Sequence, residues 1–153
     1  MDLAGKSVLV IGAGGLGGPA LLVLGAAGVG RIVLVEDDVV ETSNLNRQPL
    51  FREADVGERK AAAAAERLRA IRPGAALDVR DERFDAGNAV ELVRAADVVL
   101  DGSDNFATKF LANDAALRAR RPLVHGGVLR TTAQLLTVAP AGIGGCLRCG
   151  GDA

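Results

Sequence analysis

The sequence has no surplus of charge of either sign: 18 lysines and arginines stand against 19 aspartates and glutamates, for a formal net charge of −1. That balance excludes a general electrostatic pull onto nucleic acid or an anionic membrane, so phosphate must be met by particular side chains and backbone groups. No apolar run reaches the roughly 18 residues needed to span a bilayer. Residues 1–6 lack the charged start and apolar stretch of a secretory signal, so the expected location is cytoplasmic. Cysteine is scarce. Cys146 and Cys149 are too few and too close together for a disulfide framework, which leaves a metal or redox pair as the expectation. The single histidine, His125, ends an apolar stretch before Gly126-Gly127 and reads as a core or loop residue. With 153 residues the chain has the size of one domain and can bury well over half of its unfolded surface around its own core.

Glycine, by contrast, is plentiful. Its 20 residues are about twice the roughly 7% of average usage, so a glycine triplet alone carries little weight. Context raises it. KSVLVIGAGGLG places an apolar strand directly before Gly12, Gly14 and Gly17, and an alanine-rich run follows. This is the G-x-G-x-x-G arrangement, whose glycines permit a tight turn, close approach of backbone to phosphate, and close packing of helix on strand. Glu36 then ends a second apolar strand, RIVLVE, where an acid can accept from ribose hydroxyls.

Strand signals fall at about 7–11, 31–36, 76–80, 97–101 and 122–125, with helix-like stretches between most of them, and this alternation predicts a doubly wound, mostly parallel sheet. A helix is predicted over 58–72, where Ala61, Ala64, Leu68 and Ile71 recur at helical spacing before Pro73-Gly74 stops it. A second is predicted over 105–120, with Phe106, Phe110 and Leu117 on one side and Asp104 or Asn105 as its cap. The segment 129–138 follows the preceding strand so closely that an antiparallel partner is expected. Gly18, Ala20, Gly25 and Ala26 make a helix face of small residues that suits packing on the sheet or a subunit contact.

Three polar clusters follow the strands. In EDDVVETSNLNRQ, Glu36, Asp37 and Asp38 leave the second strand, and Ser43, Asn44, Asn46, Arg47 and Gln48 crowd into six positions. A polyphosphate needs such donors and a permanently charged guanidinium. Lys60 stands in the first turn of the Ala-rich helix, where the dipole opposes a positive charge that bound phosphate would offset. Asp101-Gly102-Ser103-Asp104-Asn105 places two carboxylates after a buried strand, beside a glycine, where magnesium finds hard oxygen ligands.

Joined in this order, GAGGLG, EDD, SNLNRQ, Lys60 and DGSDN resemble the adenylyltransferase domain of the ubiquitin-activating family, in particular the bacterial sulfur-carrier activating enzymes of molybdopterin and thiamin thiazole synthesis. The match runs from about residue 3 to 149. The resemblance implies ATP, magnesium and a ubiquitin-like sulfur-carrier protein ending in Gly-Gly, whose terminal carboxylate attacks the α-phosphorus and releases pyrophosphate. It places Gly14 and Gly15 against the nucleotide, Glu36 at its ribose, Asn44, Arg47 and Lys60 at the phosphates, Asp38 and Gln48 among the other nucleotide-binding residues, and Asp104 at magnesium. Arg47, Lys60 and Asp104 are thereby the expected catalytic residues. A homodimer is a family expectation.

The departures are specific. Glu36 stands where the family usually has aspartate, and no arginine precedes Arg31, although family members usually carry an N-terminal helix with one that reaches the neighbouring subunit's ATP. Cys146-Leu-Arg-Cys149 resembles half of the family's four-cysteine zinc site, whereas a closed structural site needs four ligands. Residues 1–153 are thus expected to form a single adenylyltransferase domain of a short or truncated form. A nicotinamide-dependent oxidoreductase accounts for Gly12, Gly14, Gly17 and Glu36 equally well but leaves Arg47, Lys60 and Asp104 idle. A non-catalytic module that keeps the fold and binds a partner is the third reading.

Overall fold

A computed structural model describes residues 2–139 and 145–149. Strands β1 (Ser7–Ile11), β2 (Arg31–Val35), β3 (Ala76–Arg80), β4 (Val98–Asp101), β5 (Leu123–Leu129) and β6 (Thr132–Val138) form one sheet in the order β3-β2-β1-β4-β5-β6. All pairs are parallel except β5 with β6, which is the antiparallel partner expected near the C-terminal end of the sequence. Helices α1 (Gly17–Ala26), α2 (Lys60–Ile71), α3 (Ala89–Arg94) and α4 (Phe106–Ala119) cover its faces, and two short 3-10 turns, Thr42–Asn44 and Glu53–Asp55, lie between β2 and α2.

The apolar strands supply both faces because successive side chains point opposite ways. Leu9, Ile11, Val33, Val35 and Val99 pack with α3 and α4. Val8, Val10, Ile32 and Leu34 pack with α1 and α2 on the other face. A chain that turns from β1 to one face and from β4 to the other leaves a crevice at the carboxyl ends of these adjacent strands.

Helix α2 buries Ala61, Ala64, Ala65 and Leu68, as its spacing requires, but Ile71 at its last position is 40% exposed, so the buried stripe stops a turn early. Of the small residues of α1, Gly18 and Gly25 serve intrachain packing, whereas Ala26 is exposed. A Cβ on Gly18 would lie 3.2 Å from Leu50 Cβ, and one on Gly25 would lie 3.3 Å from Leu68 Cδ2. Leu68 thus fills a groove between the two helices that only small residues leave open. Leu68→Ala is expected to cost about 2–5 kcal/mol in urea unfolding, from lost transfer energy plus a cavity; a loss below about 1 kcal/mol would mean that this contact does not hold the helices together.

Helix α4 differs from its sequence reading. Phe106 is 70% exposed and Leu117 38%, and the side turned inward consists of Lys109, Ala112, Asn113, Ala115 and Ala116. Alanines allow close approach to the sheet, and the two polar side chains among them are held by partners outside the helix: Lys109 by Asp101 and Gly126, and Asn113 by Leu147. The cap is as expected, since Asn105 Oδ1 accepts from Thr108 N at 2.9 Å.

Candidate functional site

A cleft of about 420 Å³ opens at the carboxyl ends of β1 and β4, and Gly12, Gly14, Gly15, Glu36, Asp38, Arg47, Gln48, Lys60, Ser103 and Asp104 all line it. Ten positions scattered from the first strand to the fourth meet because each lies just beyond the carboxyl end of a parallel strand or in the connection that follows one.

The floor of the cleft is backbone. Gly12 has φ +85°, a left-handed conformation that favours glycine. A Cβ on Gly17 would collide with the Gly12 carbonyl oxygen and lie 2.8 Å from its carbon, and a Cβ on Gly102 would lie 2.6 Å from Gly17 N. The β1–α1 turn and the loop after β4 therefore touch main chain to main chain. Gly14 and Gly15 are different. A Cβ on either would stand 3.6 Å from its nearest neighbour, so the fold itself tolerates a methyl there, and its absence leaves the cleft open over the N-terminus of α1. No side chain caps that helix end. In its first turn Gly18 N donates to Gly14 O and Pro19 has no amide hydrogen, so backbone donors for an anion come from the glycine turn just before the helix.

Glu36 is buried and holds the turn: Oε2 accepts from Ala13 N at 2.7 Å, and Oε1 accepts from Asp38 N at 2.9 Å. Each oxygen keeps a second lone pair, so a ribose hydroxyl can still donate to it. Lys60 is 5% exposed, and its Nζ is 3.0 Å from Oδ2 of the exposed Asp38 rather than near Glu58 or Glu66. Arg47 is exposed and folded onto its own loop, with Nη1 donating to Ser43 O at 2.7 Å and Asn46 Oδ1 at 3.2 Å. Gln48 is buried, and its Oε1 is the single buried side-chain polar atom without a partner among the described residues. An orphan acceptor in a cleft wall is costly unless something that enters the cleft satisfies it.

Asn44 serves the loop with its side-chain oxygen. Its Oδ1 accepts from Glu41 N at 3.1 Å, capping the first 3-10 turn, and the residue does not line the cleft. The two aspartates of DGSDN also part. Asp104 is exposed at the cleft, whereas Asp101 is fully buried and directed into the protein, where Ser103, Lys109 and His125 surround its carboxylate. His125 is a core residue, as read from the sequence, but a hydrogen-bonded one. Sequence reasoning passed over Lys109, for which the one available signal was a lysine among the alanines of a helix otherwise suited to burial.

Hard oxygens fit magnesium: Asp104 lies on the cleft, and oxygens of Glu36, Asp37 and Asp38 fall within 4.8 Å of one another on the same side as Lys60. Zinc does not fit. Cys146 Sγ and Cys149 Sγ are 3.2 Å apart, and the hydrogen bond from Cys149 holds the Cys146 thiol below its ordinary pKa, but the sequence has no further cysteine and its one histidine is engaged by Asp101. Two thiolates do not close a tetrahedral site. The pair instead anchors a turn on α4, where Leu147 N donates to Asn113 Oδ1 at 3.0 Å, and Arg148 pairs with Asp114, whose carboxyl it holds below the usual range.

Comparison with known proteins agrees with this geometry. The profile of the ThiF family matches residues 1–153. The chain is 45% identical over 147 residues to the SAMP-activating enzyme E1 of Haloferax volcanii, a match that covers 96% of this chain and 54% of that protein. It is 46% identical over 147 residues to the sulfur carrier protein adenylyltransferase of Thermus thermophilus, covering 94% of this chain and 54% of the relative. With the mouse adenylyltransferase and sulfurtransferase MOCS3 it shares 47% identity over 149 residues, or 97% of this chain and 32% of that one. The chain thus spans about half or less of the length of these curated relatives. Among solved structures, E. coli MccB with succinimide superposes with a TM-score of 0.89 at 26% identity, over 99% of this chain and 45% of that one.

Proposed function

Because this chain belongs to the ThiF family, we propose that it forms the nucleotide-binding part of an adenylyltransferase that uses ATP to activate the C-terminal glycine carboxylate of a ubiquitin-like sulfur carrier. The observation that carries this reading is the cleft itself, where Lys60, Arg47, Gln48 and Asp104 converge on the glycine turn from three separate elements. The names of the relatives support the substrate class, as two of those compared are adenylyltransferases by name and one of these acts on a sulfur carrier protein.

The chemistry asks little of a base. A terminal carboxylate with a reference pKa of about 3.5 is ionised at neutral pH and is already a nucleophile. The obstacle is an anion approaching a polyanion, so the protein must align the two and cancel charge. Gly14 and Gly15 leave room for the phosphates over the start of α1, Glu36 and Asp38 take the ribose side, and Gln48 offers amide groups to the nucleotide. Lys60 and Arg47 exchange their present partners, Asp38 and the carbonyl of Ser43, for phosphate oxygens. Magnesium, held by Asp104, supplies further neutralisation of the triphosphate when bound. A homodimer, a cytoplasmic setting and the single-domain description of residues 1–153 belong to the same reading. A nicotinamide oxidoreductase would leave Lys60, Arg47 and Asp104 without work.

The test is magnesium-dependent ATP–pyrophosphate exchange by the purified chain, with and without a Gly-Gly-terminated carrier from the same source. Exchange is expected only with the carrier, and a carrier lacking its last glycine should give none. ATP binding without exchange would reduce the chain to a nucleotide-binding module, and preference for NAD over ATP would overturn the reading.

A further inference from the structure

Behind the cleft, outside the residues that line it, lies a fully buried carboxylate with four bonds. Asp101 Oδ1 accepts from Ser103 N at 2.9 Å and from Ser103 Oγ at 2.6 Å. Oδ2 stands 2.7 Å from His125 Nδ1 and 3.4 Å from Lys109 Nζ. Lys109 Nζ also donates to Gly126 O at 2.7 Å. Asp101, Lys109 and His125 are 0%, 7% and 2% exposed. Such a cluster is costly to bury, and packed apolar groups in its place are often neutral or better for stability alone. Its geometry points to a different use.

The bonds reach three other parts of the fold. Asp101 ends β4, His125 and Gly126 belong to β5, Lys109 comes from the first turns of α4, and Ser103 lies in the loop between β4 and α4. One residue further along that loop is Asp104, exposed at the cleft. The loop is held from the other side by Gly102, whose Cα approaches the backbone of Gly17 too closely for any side chain. The two residues before Asp104 are therefore each fixed, Gly102 by main-chain contact with the glycine turn and Ser103 by the Asp101 carboxylate. Because that carboxylate is an acceptor, His125 Nδ1 must carry its proton, and Lys109 supplies the balancing positive charge.

We propose that Ser103, Lys109 and His125 are positioning residues for adenylyl transfer, acting through the buried Asp101 carboxylate to set the loop that presents Asp104 to the nucleotide's metal. The inference rests on the adenylyltransferase reading of the cleft. Partners that orient a metal ligand from behind affect metal affinity or activity by about tenfold to a hundredfold when removed.

The experiment measures binding of a non-hydrolysable ATP analogue by calorimetry, with and without magnesium, in the wild-type chain and in Ser103→Ala, His125→Leu and His125→Asn. Thermal unfolding of each variant controls for loss of the fold. Lys109→Met is set aside, since a buried carboxylate without its cation threatens folding itself. His125→Leu is expected to weaken only the magnesium-dependent part of binding, by about tenfold or more, and Ser103→Ala, at a residue that itself lines the cleft, should weaken that part at least as much. His125→Asn, whose amide can still donate to Asp101, should recover most of the His125→Leu loss. Equal losses with and without magnesium would reveal a merely structural cluster and overturn the inference, as would variants that match the wild type. If the wild-type chain itself binds no nucleotide, the reading of the cleft falls, and this inference falls with it.

Discussion

Lys60→Ala is expected to lower carrier-dependent ATP–pyrophosphate exchange by about a hundredfold or more, the loss typical of removing one preorganised group that meets developing or repelled charge, while the chain stays folded. The separation of the two effects follows from the geometry. Lys60 is 5% exposed but its partner Asp38 has a side chain 67% exposed, so the truncation leaves a solvated carboxylate rather than a buried one. An ion pair with one member in water contributes little to stability. Helix α2 loses a lysine from its first turn, where the dipole disfavours positive charge, and gains alanine, the best helix former. Unfolding midpoints should therefore move little. Lys60→Arg should restore part of the rate, since the charge returns on a bulkier group in a tight site. Exchange at the wild-type rate in Lys60→Ala would exclude the lysine from the phosphates and return it to a structural pair with Asp38.

Gly17→Ala should act in the opposite sense, on the fold before the chemistry. Its added methyl would coincide with the Gly12 carbonyl, a backbone atom that cannot rotate away, and the loop at Gly102 blocks retreat in the other direction. Overpacking against backbone belongs at the upper end of such penalties, about 3 kcal/mol, which for a domain of this size lowers the melting temperature by about 10 °C. Gly14→Ala is the paired control. Its methyl would meet nothing closer than Gln48 Nε2 at 3.6 Å, so stability should hold while nucleotide affinity falls. If Gly17→Ala melts with the wild type, the close approach of the two loops is wrong. If Gly14→Ala binds nucleotide normally, the space above the turn is not where phosphate lies.

These two glycines also mark how far the sequence could be read. The motif named both, and the order of strands and helices around it follows from local patterns: apolar runs of strand length, an Ala-rich helix halted by Pro73-Gly74, and an asparagine cap at 105. What local pattern does not hold is which of two helix faces turns inward. Phe106, Phe110 and Leu117 align on one side of α4, yet Lys109 and Asn113 face the sheet, because their partners lie on β4, on β5 and beyond β6, and are brought near only by the completed fold. Asp101 illustrates the same limit. Beside Asp104 in sequence it reads as a second metal ligand, but a strand end in the middle of a sheet is buried, and burial commits the carboxylate to the neighbours that satisfy it. Asn44 adds a capping role that its place in the polar cluster did not announce, since its Oδ1 accepts from Glu41 N.

The contact of Gly12, Gly17 and Gly102 makes the floor of the cleft a rigid plate, since it contains no side chain whose rotation could reshape it. Adaptation is left to the rim, where Arg47 and Lys60 must each release one partner and take another. A ligand that binds here pays little ordering entropy for the floor and most of it for two long cationic side chains. Discrimination between nucleotides of different phosphate length is thus expected to reside in the rim, and rejection of ligands of the wrong shape in the floor.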